Sequence, residues 1–270
     1  MNAIRRYSLE DNPLTRLGRL ALFPVAELGR MAIFFGRAMG HVFSFPLQLG
    51  KVLDQLHFIG SKSLFVVFLT GLFTGMVLGL QGYYSLSRFG SEAVLGSVVG
   101  LSLVREMGPV LTAFMVIARG GSAMAAELGS MRISEQIDAL KTMDINPVKF
   151  LVSPRMGAAL VAFPLLTALF DVVGILGGYL TGSVLLGLGS GVYFSSVESG
   201  VEMSDITGGF LKSVVFAVLI IGICCYRGYF AHRSPAGFGS RAVGLATTSA
   251  VVLSCVVVLA ADYVLTSFLL

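Results

Sequence analysis

Tryptophan is missing altogether and charge is scarce. Of 270 residues only 13% are charged, whereas 55% are hydrophobic and mean hydropathy is +0.85; soluble domains carry roughly 25% charged residues. That shortage excludes a soluble catalytic domain, because long uncharged runs recur along the whole chain. Cysteine is nearly absent: Cys224, Cys225 and Cys255 lie inside apolar runs with no CxxC spacing. They exclude a disulfide framework and read as small core residues. His41, His57 and His232 are scattered, so no metal site can be assembled from them. No GxxxxGK[ST] occurs, so the chain has no phosphate loop of its own, and GxSxG is absent too. Gly237-Phe238-Gly239 followed by Ala242 mimics a dinucleotide fingerprint, but it lies between two apolar spans and reads as a flexible turn. The opening MNAIRRYSLEDNP lacks the apolar core and cleavage site of a signal peptide. The expectation is that the mature protein keeps its N-terminus.

What is present is grease in span-sized lengths. Residues 63–87 run for 25 positions without a charge, enough for a hydrocarbon core that needs about 20. Further spans are expected at about 103–128, 156–184 (interrupted only by Asp171), 207–226 (with Lys212 near its start) and 242–261. The fold class is therefore an all-α integral membrane protein with five transmembrane helices. Basic residues divide 16 to 3 between the two faces, with only Arg88, Arg105 and Lys212 in the minority. By the positive-inside rule the N-terminus is cytoplasmic and, after five crossings, the C-terminus periplasmic. The same asymmetry explains the net charge of +4 without invoking nucleic acid.

Residues 1–62 form the expected cytoplasmic N-terminus and 63–270 the membrane domain. Within the former, 14–45 look helical, and Arg19, Arg30 and Arg37 fall on one face at near-integral turns. This amphipathic interfacial helix lies on the cytoplasmic leaflet or packs on the ends of the spans; the two are compatible. Gly71, Gly75 and Gly79 recur every four residues, the small-xxx-small pattern of close helix packing in lipid. Tyr83, Tyr84, Tyr179, Tyr193, Tyr226, Tyr229 and Tyr263 sit near span ends, as in an interfacial belt.

One insert breaks the pattern: AELGSMRISEQIDALKTMDINP, residues 126–147. Ser134 can cap a short helix, Glu135 favours its N-terminal dipole, and Asn146-Pro147 supplies a stop. Ile133, Ile137 and Leu140 make one apolar stripe while Glu135, Asp138 and Lys141 face elsewhere. A short amphipathic helix between two spans, about 133–144, suits docking into a groove of a cytoplasmic partner.

The block LVREMGPVLTAFMVIARGGSAMAAELGSMRISEQIDALKTMDINP, 103–147, resembles the signature of the MlaE/YrbE permeases. These are membrane subunits of ABC systems that move phospholipid between the two membranes of Gram-negative and related envelopes. The resemblance continues through SPR at 153–155, RAVGLATTSAVV at 241–252 and ADYVLT at 261–266, covering nearly the whole chain from about residue 15. One departure is Ala118-Arg119, where many members have Gly-Arg.

The resemblance implies an inner-membrane permease, not an enzyme, that works as a homodimer. A cytoplasmic ABC ATPase would dock on the coupling helix through Ile133, Glu135, Gln136, Ile137, Asp138 and Leu140, with Glu135, Gln136 and Asp138 as polar contacts. ATP belongs to that partner, so no cofactor is expected here. A periplasmic MCE-domain protein would sit above. For the phospholipid path, Arg105, Glu106 and Lys212 are expected at one depth. A Glu106–Lys212 pair would leave Arg105 free for a lipid phosphate; the alternative is that all three snorkel to headgroups or fix packing. Leu72, Met76, Leu80 and Tyr83 would contact acyl chains or serve as packing core. A competing reading is an ion-coupled secondary transporter relaying ions through Asp171, Glu106 and Lys212, against which no internal repeat is evident. A membrane scaffold is the third.

Overall fold

The computed structural model describes residues 13–42, 48–233 and 239–269. In the first helix side chains are described at Leu22 and from Ala26 to His41. Arg5 and Arg6, the side chains of Arg16 and Arg19, and Gly237-Phe238 therefore lie outside the described residues.

Every described element is helical. In chain order they are α1 (Pro13–Val42), α2 (Leu49–Ser87), α3 (Glu92–Ile133), α4 (Gln136–Thr142), α5 (Val148–Leu185), α6 (Ser190–Gly200), α7 (Met203–Tyr229) and α8 (Ser240–Leu269). Five of them, α2, α3, α5, α7 and α8, are long and apolar enough to cross a membrane. They run longer than the uncharged stretches: α3 has 42 residues, about 60 Å of helix against a core of about 30 Å. Lys51, Asp54 and Lys62 do not delay α2 to residue 63, because nothing prevents a helix from continuing past the hydrocarbon. There Lys51 Nζ sits over the Phe150 ring, 2.8 Å from its centroid. The central helix is α7, with 61% of its most apolar window buried, against 28% for α2 and α8.

The closest packing is between α2 and α5. A Cβ on Gly75 would lie 1.8 Å from the Gly174 carbonyl oxygen, and one on Gly71 or Gly79 would lie 3.0 Å from that of Phe170 or Gly178. From the other side, a Cβ on Gly177 would come within 2.3 Å of the Leu72 carbonyl. The two backbones touch, as association by van der Waals contact in lipid requires.

At the α4 end, α1 packs on the bundle. Phe34 is buried against Tyr226 and Tyr229, ring centroids 5.5 and 5.6 Å apart. Tyr226 donates to Glu27 Oε1 at 2.8 Å, and Ser153 Oγ donates to the Ala38 carbonyl at 3.2 Å. Arg30 and Arg37 are exposed. The tyrosine belt is thus only partial. Tyr84 and Tyr263 are exposed, but Tyr193, Tyr226 and Tyr229 are core residues. The Tyr193 hydroxyl finds a partner in the Ile175 carbonyl at 3.0 Å, which lets a phenol sit inside.

The charged insert folds differently from its sequence signals. Ser134 does not cap α4; its hydroxyl donates back to the Ser130 carbonyl at 2.9 Å, and Ile133 ends α3. Glu135 takes the left-handed conformation, φ 61°, and so breaks one helix from the next. Asn146 is no stop either: its Oδ1 accepts the Val148 amide at 3.0 Å and starts α5. Ala118 is exposed, so the missing glycine there costs no close contact.

Gly75→Ala is expected to destabilise the protein by about 1–3 kcal/mol through overpacking of the seam, read as a lower unfolding temperature in detergent. Gly244→Ala, on α8 with nothing within 4 Å of its Cβ position, should be neutral or gain up to about 1 kcal/mol.

Candidate functional site

At the end of the bundle away from α4, residues of α3, α7 and α8 form an open cavity of about 200 Å³, lined among others by Arg105, Glu106, Asp205, Lys212 and Thr266. The α3 backbone explains why they meet. Leu103–Met107 form a wide π-helical turn, followed at once by Gly108-Pro109. Proline has no N–H to give to the carbonyl four residues back, that of Arg105. That oxygen instead accepts Lys212 Nζ at 2.8 Å. α7 can come so near because Gly209, one turn before Lys212, has no side chain: its Cβ would lie 2.5 Å from the Val104 carbonyl.

Lys212 is 2% exposed. Its ammonium also donates to Glu106 Oε2 at 2.8 Å and Thr266 Oγ1 at 2.7 Å, which with the Arg105 carbonyl accounts for its three N–H bonds. Asp262 Oδ1 lies 3.1 Å away as a further counter-charge. The expected Glu106–Lys212 pair is present. Arg105, however, is not free: its Nε donates to Asp205 Oδ1 at 2.6 Å. Asp205 is fixed in turn by accepting the Glu202 amide at 3.0 Å in the capping box that starts α7.

Asp205, Asp262 and Thr266 were missed as site residues because each looked ordinary in isolation. The signals were spacing: Asp205, Gly209 and Lys212 on one face of α7, and Asp262 and Thr266 four apart on α8. Leu72, Met76, Leu80 and Tyr83 lie on α2 and do not reach this cavity. Leu80 is 42% exposed on the outer surface, while Leu72, Met76 and Tyr83 are half-buried. Asp171 lies against Gly108, whose Cβ would be 1.9 Å from Asp171 Oδ1. That oxygen has no hydrogen-bond partner among the described residues.

The opposite end is built around α4. Ile137 is buried, Ile133 and Leu140 half-buried, and Glu135, Gln136 and Ala139 exposed, so the apolar stripe holds α4 on its own chain. Asp138 is used internally as well, pairing with Arg132 at 2.7 Å and Lys141 at 2.9 Å. These two donors, Lys141 foremost, hold its carboxyl below the ordinary 3.8. Arg132 also donates from Nε to His232 Nδ1 at 2.9 Å, just beyond the end of α7. Burial first, then Arg132 and Arg233, holds His232 below its ordinary 6.5. The buried helix α7 thus reaches the charged cavity at one end and, through His232 and Arg132, α4 at the other.

Five membrane-length helices, a polar cavity inside one end and a short cross-helix on the other define a membrane-embedded transport subunit. Residues 52–268 match the family model for Permease MlaE, and the chain belongs to that family. It is 41% identical to the intermembrane phospholipid transport system permease protein MlaE of Haemophilus influenzae, over 83% of each chain. It is 43% identical to a probable ABC transporter permease protein of Rickettsia typhi, over 86% of this chain and 88% of that one. Protein TRIGALACTOSYLDIACYLGLYCEROL 1, chloroplastic, of Arabidopsis thaliana is 38% identical over 81% of this chain and 61% of its own.

Lys212→Met leaves carboxylates facing a site without their counter-ion. A loss of about 3–5 kcal/mol is expected, toward the lower end because Glu106 is 40% exposed. Adding Glu106→Gln should restore part of it in chemical denaturation of the detergent-solubilised protein.

Neutral His232 accepts from Arg132; the protonated ring cannot. Because its folded pKa is depressed, this contact is intact above 6.5 and is lost as pH falls through the folded value. Asp138, held low, stays ionised throughout. Hydrogen exchange at Gln136–Thr142, corrected for intrinsic rates, should therefore quicken as pH falls below 6.5. His232→Gln should flatten that response.

Proposed function

We propose that this chain is the permease subunit of an ABC system that moves phospholipid between two membranes. Two copies form the working unit, a separate cytoplasmic ATPase supplies ATP hydrolysis, and a periplasmic MCE-domain protein receives or delivers lipid on the other side. The observation that carries the reading is family membership across nearly the whole chain, with a named phospholipid permease among the relatives. The geometry supports it. Glu135, Gln136 and Ala139 are exposed at α4 and the Asp138 side chain is 49% exposed, so all four are available to a partner's groove, while Ile133, Ile137 and Leu140 hold the helix to its own chain. The N-terminus, α1 and α4 are assigned to the cytoplasmic side by the excess of Lys and Arg at that end. The charged cavity and the C-terminus then face the periplasm.

In this assignment ATPase movement against α4 is passed through Arg132 and His232 to α7, which carries Lys212 into the cavity. Coupling needs a stiff link, and charge-assisted hydrogen bonds from one guanidinium supply it.

Two measurements test this. Gln136→Arg combined with Ala139→Glu should abolish recovery of the ATPase in a pull-down while leaving membrane insertion unchanged; full recovery would refute docking on α4. In proteoliposomes holding the complete complex, phospholipid movement should require ATP hydrolysis and no ion gradient. Movement driven by a gradient without ATP would replace this reading with the secondary-transporter one.

A further inference from the structure

The cavity end of the molecule is not basic. Arg88, Arg105 and Lys212 are outnumbered there by Glu92, Glu106, Glu198, Glu202, Asp205 and Asp262. Within the cavity wall and its immediate support two cations, Arg105 and Lys212, meet three carboxylates, those of Glu106, Asp205 and Asp262. Lys212 is closed to any ligand, its three N–H bonds spent on Arg105, Glu106 and Thr266 and its side chain 3% exposed. Asp205 is 7% and Asp262 18% exposed. The charges that a visitor meets are adjacent ones of opposite sign: the Arg105 side chain, 43% exposed, and that of Glu106, 40% exposed.

We infer that this cavity is a seat for a zwitterionic aminophospholipid headgroup, which it prefers to a net-anionic one. This rests on the reading of the chain as a phospholipid permease. Arg105 is tied to Asp205 through Nε alone, so the outer N–H groups of its guanidinium are presented for two oxygens of a phosphate. Glu106 accepts Lys212 at Oε2 and the Thr266 hydroxyl at Oε1; a carboxylate has about four lone-pair sites, so it keeps capacity for an ammonium. A headgroup carrying both a phosphate and an ammonium can answer both exposed charges that line the cavity, the Arg105 guanidinium and the Glu106 carboxylate. A headgroup with a phosphate and no ammonium satisfies Arg105 but leaves its net charge facing surplus carboxylates, a like-charge juxtaposition that counts against it. Size agrees: a cavity of about 200 Å³ is below the roughly 300–1,000 Å³ of pockets for drug-sized ligands. It admits a headgroup while the acyl chains stay outside.

The test is competition for the assembled transporter, wild type first. Acyl-labelled phosphatidylethanolamine, phosphatidylglycerol and N-acetylated phosphatidylethanolamine are offered at equal mole fraction in proteoliposomes, with ATP-driven movement and crosslinking at the cavity both read. Phosphatidylethanolamine should be favoured by about tenfold over both anionic lipids. The N-acetylated lipid keeps the phosphate and the two-carbon spacing but loses the ammonium and gains an acetyl group, so phosphatidylglycerol, which has no acetyl, controls for the added bulk. Glu106→Gln should collapse the ratio towards unity by raising the share of phosphatidylglycerol. Equal handling of the three lipids by the wild type, or preference for an anionic one, would overturn the inference while leaving the permease reading intact. An unchanged ratio in Glu106→Gln would remove Glu106 from the seat and overturn it too. If no lipid moves under any condition, it is the permease reading that fails.

Discussion

An ammonium group with no access to water dictates the architecture of one whole end of this protein. Lys212 sits on the most buried helix, where an unpaired charge would cost several kcal/mol, and its surroundings are arranged to remove that cost. Pro109 strips a carbonyl of its usual donor, the wide turn before it places Glu106 beside that carbonyl, and Gly209 lets α7 approach within reach. α8 contributes Asp262 and Thr266 from its own face. Three helices distant in sequence are thereby fixed at one point, and the cavity is the space left beside that point.

The seam between α2 and α5 is built differently. α2 and α5 meet through glycines, gaining contact by letting backbones touch, with only a small area of side chain between them. The two modes divide the labour. A glycine seam has nothing to titrate and no polar atom to satisfy, so it serves as a fixed frame. The polar joints at the ends of α7 carry charges that can change partners, so they are where the frame can give.

The elements themselves were readable from the chain because hydropathy is a strong signal: all five spans were found, and each came out too short. Uncharged length measures the bilayer, whereas helix length is set by caps and by the next breaker, such as Glu135 with its positive φ. Charged residues were readable as important and unreadable as partners. The Glu106–Lys212 pair followed from shared depth, since both lie near the same end of their helices. The Arg105–Asp205 pair did not, because Asp205 lay just outside the expected start of the fourth span and drew no notice. The short helix between the second and third spans was found from its stripe, but its polar residues were assigned by type alone. Asp138, although its side chain is 49% exposed, is paired with two charged donors on its own chain, Arg132 and Lys141.

The Lys212 joint also has a history written into chain order. Glu106 enters the membrane on α3 long before the ribosome has made α7, and Asp262 follows on the last helix. During that interval the Glu106 carboxylate and the Arg105 carbonyl lack the ammonium that joins them, so the newly made second span is incomplete on its own. Biogenesis must shelter it, or delay its release sideways into the bilayer, until the lysine arrives.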